Sequence, residues 1–238
     1  PPVDARPGLR AACANNLGTF TPVAKPATIP YPGSDYYEIE LRQYTQKLHS
    51  DLPATTLRGY VQVNNGTDAS GHNTLAPESI HYLGPFIQAT KDRPVRVKFT
   101  NKLPVGAGGN LFIPVDSTVM GAGTGPDGVT LYKENRATIH LHGGKTVWIS
   151  DGTPQQWTTP ADENTPYPKG VSTKKVPDRH DPGPGSMTFF YSHKQTERLR
   201  WFTAPPYGIP STHWDGGEWV RSVTTARTEP QGDETCTA

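Results

Sequence analysis

Two imidazoles stand two residues apart in the stretch Ala137-Thr138-Ile139-His140-Leu141-His142, and two glycines follow them. Alternation of apolar and polar side chains reads as a strand, which sends successive side chains to opposite faces. His140 and His142 therefore share one face, and Ile139 and Leu141 share the other, where a β-sandwich keeps its core. With a rise of about 3.3 Å per residue, the two histidines are rooted roughly 6.5–7 Å apart. That separation suits two ligands serving different ions of one cluster better than two ligands chelating a single ion. Neutral imidazole binds copper, zinc, iron and nickel, so the pair does not name its metal. Zinc stays open as well, because two histidines and a carboxylate can hold it.

The other histidines carry less. His49, His72 and His81 lie in strand or loop contexts without a paired partner, and His180 and His193 read as exposed loop residues. The two cysteines, Cys13 and Cys236, lie near opposite ends, and their pairing is open. Neither has a neighbouring histidine, whereas a blue copper site needs a thiolate with two imidazoles and a weak axial ligand. No such electron-entry site is encoded. Asp151, in Ser-Asp-Gly-Thr-Pro, is a carboxylate close to the histidine pair in sequence, in a context where Asp and Gly also favour turns. Trp148 and Trp157 flank it, either as walls of a channel or as anchors of the loop.

The elements that must hold these residues are strands. Tyr37, Ile39 and Leu41 alternate with polar neighbours, which predicts a strand near Tyr36–Gln46. Val95, Val97 and Phe99 alternate with Arg96, Lys98 and Thr100 in the same way, and Met187–Tyr191 and Arg198–Phe202 read as the last strands. Asn64-Asn65-Gly66 marks a turn, and 61–80 reads as a loop insertion. Gly106–Gly128 is a glycine-rich excursion without the Gly-Lys-Ser/Thr of a phosphate loop. In 238 residues there are 24 glycines and 25 prolines with only 33% hydrophobic residues, which favours turns and long loops over helices. A formal net charge of +1 without a dense basic cluster gives no reason for a nucleic-acid partner. No apolar run reaches the ~20 residues of a membrane span. The chain opens Pro1-Pro2-Val3 without a signal-peptide pattern, and a processed or trimmed start is expected.

The histidine strand continues as Gly143-Gly144-Lys-Thr-Val-Trp148-Ile-Ser-Asp151-Gly-Thr-Pro-Gln-Gln-Trp157, and further on come Tyr167-Pro-Lys-Gly170-Val and Asp181-Pro-Gly-Pro-Gly-Ser-Met-Thr-Phe-Phe-Tyr191. Upstream stand Leu48-His-Ser-Asp-Leu-Pro53-Ala-Thr-Thr-Leu-Arg-Gly-Tyr60, Tyr82-Leu-Gly-Pro85-Phe-Ile and Asp92-Arg-Pro-Val-Arg-Val-Lys-Phe-Thr-Asn101. From about residue 36 to 200 the chain resembles the first cupredoxin domain of bacterial multicopper oxidases, in the laccase, bilirubin oxidase and spore-coat oxidase group. The resemblance implies an all-β, cupredoxin-like Greek-key β-sandwich with long Gly/Pro-rich loops. The chain is expected to divide into an irregular, Pro-rich N-terminal arm (1–35), the cupredoxin-like domain (36–213) and an unassigned, irregular tail (214–238). His140 would be a ligand of the type 2 copper and His142 of a type 3 copper in a trinuclear site. Asp151 matches an acidic position that helps to move protons during oxygen reduction. A complete oxidase takes electrons from phenolic or similar donors and reduces dioxygen to water; family habit implies secretion or a place in the cell envelope, with a cytoplasmic place as the alternative.

The chain also departs from that pattern. The family's second first-domain His-x-His pair falls on Thr203 and Pro205 within Trp201-Phe-Thr-Ala-Pro-Pro-Tyr207-Gly-Ile209, and neither residue offers an imidazole. His213 lies about ten residues on, beyond a Pro-containing stretch, and is not a substitute. Two origins stay open, loss of ligands in a copper-poor relative or a disturbed reading frame near residue 200. The expectation is a partial oxidase domain, inactive without further cupredoxin domains or chains. The alternatives are a copper-binding module without catalysis and a structural module with a vestigial pair.

Overall fold

In the computed structural model, the described residues are 23–68, 70–74, 80, 84–112, 114–118, 122–142, 144–173, 180–194, 199–202 and 219–225. They form ten strands: β1 (Asp35–Gln46), β2 (Thr55–Gln62), β3 (Gly66–Thr67), β4 (Asn73–Thr74), β5 (Ile87–Thr90), β6 (Val95–Lys102), β7 (His140–His142), β8 (Ser186–Tyr191), β9 (Leu199–Phe202) and β10 (Trp219–Thr225). Two short 3-10 turns, Gly106–Gly109 and Trp148–Ser150, are the helical elements among the described residues. None of the described helices is long and apolar enough to cross a membrane.

Strands β2-β1-β6-β8 make one four-stranded sheet and β5-β10-β9-β7 a second, with β3 and β4 forming a separate short hairpin. The chain leaves the first sheet after β6, contributes β7 to the second, and returns for β8. That crossing is what makes the fold a Greek-key sandwich rather than a meander. Side chains from both sheets meet in one apolar cluster, which includes Tyr37, Ile39 and Leu41 of β1, Ile87 and Ala89 of β5, Val97 and Phe99 of β6, Leu141 of β7, and Met187 and Phe189 of β8. The all-β cupredoxin-like sandwich is thus the architecture observed.

The alternation read in the sequence explains the first sheet. Along β6 the buried residues Val95, Val97, Phe99 and Asn101 interleave with less buried Arg96, Lys98 and Thr100. On the outer face Lys98 pairs with Glu38 across the parallel β1–β6 ladder at 3.1 Å, and the Arg96 guanidinium lies over the rings of Tyr31 and Phe190 at 4.9 Å each.

Buried amides hold the long β6–β7 excursion. Asn101 donates through Nδ2 to the carbonyls of Asn135 (2.7 Å) and Thr158 (2.9 Å), and its Oδ1 accepts from Leu103 N (3.1 Å). Glu163 accepts from Asn135 Nδ2 (2.6 Å) and from Gly106 N (2.8 Å).

Four sequence expectations need correction. The histidine strand, expected over 137–142, is regular only at His140–His142, because Ala137 forms an isolated bridge with Thr158 instead. The 61–80 insertion contains the β3–β4 hairpin. The tail from residue 214, expected to be irregular, contributes β10, which pairs parallel with β5 and antiparallel with β9. His193, expected to be exposed, is fully buried at a left-handed backbone position (φ 50°), with its carbonyl accepting from Asp92 N at 3.0 Å.

Candidate metal centre

β7 positions the histidine pair. Ile139 and Leu141 are 3% and 1% exposed and sit in the core, so the residue between them faces away from it. Burial of Leu141 contributes about 1.5–3 kcal/mol toward holding this strand in register. On its edge β7 pairs antiparallel with β9, His140 opposite Phe202 and His142 opposite Arg200.

His140 meets Asp151. Its Nδ1 lies 2.5 Å from the Asp151 carbonyl oxygen and 3.3 Å from the carboxylate Oδ1. A carbonyl can only accept, so the proton of the neutral ring resides on Nδ1 and the lone pair on Nε2. A second hydrogen bond that fixes tautomer and ring orientation is the usual companion of a metal-ligating histidine. The imidazole is about a quarter exposed and the carboxylate somewhat more.

The loop that delivers Asp151 is pinned at several points. After the 3-10 turn Trp148–Ser150, Asp151 ends the turn in the right-handed helical region (φ −90°, ψ −12°). Gly152 follows at φ 68°, where a Cβ would stand 2.1 Å from the Ile139 carbonyl oxygen. Only glycine allows this backbone to lie so close to the histidine strand. Gln156, fully buried, accepts through Oε1 from Gly152 N (2.9 Å) and Thr153 N (3.0 Å) and donates through Nε2 to the Trp148 carbonyl (2.9 Å). Ser150 Oγ accepts from Phe190 N of β8 at 2.9 Å, which ties the loop to the first sheet.

Trp157 closes the loop from below. It is 1% exposed, edge-on to Tyr132 (5.3 Å) and under the buried Arg136 guanidinium (4.8 Å), so it anchors the loop. Trp148 is 60% exposed and anchors nothing by burial. Gly144 serves its own strand: a Cβ there would meet Leu141 Cδ2 at 2.7 Å.

Sequence reasoning thus named His140 and Asp151, which the fold brings together, but missed Gln156, Ser150 and the packing role of Gly152. A polar pair, Gln155-Gln156, carries no signal of which side chain turns inward. His49 and His72 are exposed beside Asp51 and Asp68, and His180 is exposed. Among the described residues no group of three or more His, Cys, Asp or Glu could hold a metal ion. Thr203, Pro205, His213, His81, Cys13 and Cys236 lie outside the described residues.

No protein-family model matches the chain. Curated relatives do. A laccase of Bacillus stratosphericus is 36% identical over 126 residues, covering 53% of this chain and 19% of that protein. A laccase of Bacillus subtilis (strain 168) is 35% identical over 133 residues, 56% of this chain and 21% of its own length. Over about half of its length the chain is similar to bacterial laccases. A laccase of Haloferax volcanii is 34% identical over 132 residues, 54% of this chain and 19% of its own length. The chain spans about a fifth of the length of these curated relatives. Among solved structures, a laccase from Pediococcus acidilactici aligns with 87% of this chain and 29% of its own at a TM-score of 0.48 and 16% identity.

Proposed function

We propose that this domain supplies one edge of the oxygen-reducing copper site of a laccase-type oxidase, through His140 and His142, and that it acts only together with cupredoxin domains carrying the remaining ligands. The observation that supports this best is the His140–Asp151 contact, which puts the ring proton on Nδ1 and leaves Nε2 as the donor nitrogen. Imidazole nitrogen is a fitting donor for copper, so the donor chemistry agrees with the family's metal. When bound, copper supplies the one-electron chemistry that couples oxidation of phenolic donors to reduction of dioxygen to water.

The chain's own residues have narrower tasks. Leu141 and Ile139 fix the strand, the Asp151 carbonyl orients the His140 ring, and the Asp151 carboxylate, 3.3 Å from Nδ1, stands where it can hold or pass a proton beside the site. Electron entry must come from another domain, because neither Cys13 nor Cys236 has a histidine beside it.

A second reading, a copper-binding module without catalysis, is favoured by Thr203 and Pro205, which stand where the family carries imidazoles. The two readings separate in one experiment. The copper-loaded chain is assayed for phenol oxidation alone and after mixing with a polypeptide that bears the His-Cys-His and remaining cluster ligands. Activity that arises only on mixing, and vanishes with His140→Ala, supports the oxidase domain. Copper retention with no activity in either case leaves the binding module.

A further inference from the structure

We infer that Gln156 is a positioning residue that sets the tautomer of His140, and so decides which ring nitrogen is offered to a metal. The inference deepens the reading of His140 as a ligand and rests on it, but its test is made on the metal-free chain.

Three hydrogen bonds of one buried side chain make the connection. Gln156 is 0% exposed, four residues beyond Gly152 in sequence, and spans the loop from the Trp148 carbonyl to the amides of Gly152 and Thr153. Asp151 lies between those attachment points, and it is the Asp151 carbonyl that meets His140 Nδ1. The Asp151 peptide is thereby held on both sides, by the Trp148 carbonyl with its 3-10 turn (the Asp151 N–H donates to that same carbonyl at 3.3 Å) and by the Gly152 amide.

An exposed neutral imidazole prefers its proton on Nε2, the nitrogen that a metal would need here. The Asp151 carbonyl reverses that preference only while it stays in place. Loss of Gln156 would leave the half-buried Gly152 and Thr153 amides without the acceptor they share, and the loop would relax to satisfy them. The His140 ring would then revert to Nε2–H. The effect is one of position: the hydrogen bonds of Gln156 go to the loop backbone.

The test uses the full chain, labelled with 15N and free of metal, at alkaline pH where imidazoles are neutral. A long-range proton–nitrogen correlation reads each histidine tautomer, and His140→Ala assigns the His140 pattern. The expected result is Nδ1–H at His140 in the parent chain and a majority of Nε2–H in Gln156→Met, with the buried His193 pattern unchanged as evidence of an intact fold. Gln156→Glu keeps an acceptor for both amides but turns a carboxylate oxygen on the Trp148 carbonyl, so it is expected to shift toward Nε2–H as well, and it decides the question if the Met variant does not fold. Nδ1–H persisting in folded Gln156→Met or in folded Gln156→Glu, or Nε2–H in the parent chain, overturns the inference. Copper affinity is then measured separately: a loss of about 10–100-fold in Gln156→Met is expected for an outer partner of a ligand. A tautomer that responds to Gln156 in a chain that takes up no copper would leave the positioning intact and remove the ligand reading.

Discussion

At the scale of single residues, the chemistry rests on which nitrogen of His140 carries a proton. His193 gives a second residue-scale case, with a different consequence. Its burial pulls the imidazole down from the ordinary value of 6.5 to about 4, so the ring is neutral in the folded chain where it would be charged in the unfolded one. Between these values the unfolded state binds the extra proton, so stability rises with pH across the window and is lost as pH falls from 6.5 toward 4. The full loss is about 3 kcal/mol at one pKa unit per 1.36 kcal/mol. His193→Asn keeps a residue that tolerates the left-handed backbone and removes the titrating ring. Urea unfolding of that variant is expected to be nearly flat with pH over this window, above the range where carboxylates titrate. An undiminished slope would show that another group carries it. The sequence made the histidine pair legible because a period of two assigns a face. It did not make the burial of His193 legible, because one histidine after an alternating strand carries no sign of what packs over it.

At the scale of elements, β7 and the loop after it act as one unit. Leu141→Ala should cost about 2–5 kcal/mol, as for other leucines removed from a packed core, measured by chemical unfolding. Gly152→Ala should cost about 2–4 kcal/mol, since it combines a left-handed backbone with a Cβ driven into the Ile139 carbonyl oxygen. Asp151 should also withdraw from His140 in that variant, visible as the same change of His140 tautomer. A folded Gly152→Ala chain with parental stability would mean that the loop does not lie against the strand as described. Strands β1, β6 and β8 were legible because their apolar residues alternate cleanly along one buried face. β10 was missed because Trp219-Val-Arg-Ser-Val-Thr-Thr225 lacks that alternation, although its β-branched content is what a strand favours. The loop 148–156 could be read as turns but not as a clamp, since the clamp depends on where one amide side chain points.

At the scale of the whole molecule, two sheets close over one core and leave long loops to build the site at one edge strand. On the proposed reading the domain would bring ligands to a shared centre without completing it; the chain spans about a fifth of the length of its curated relatives. Composition and alternation pointed to strands and long loops, and the cupredoxin-like sandwich was implied by the resemblance carried on motifs around the histidine strand. The central claim is that His140 binds copper. The most direct measurement is an electron paramagnetic resonance spectrum of the copper-supplemented, desalted full chain, with copper content determined on the same sample. The expected result is retained copper with a type 2 signal split by imidazole nitrogen, and loss of both in His140→Ala. A desalted chain without copper, or a signal unchanged in His140→Ala, would contradict it.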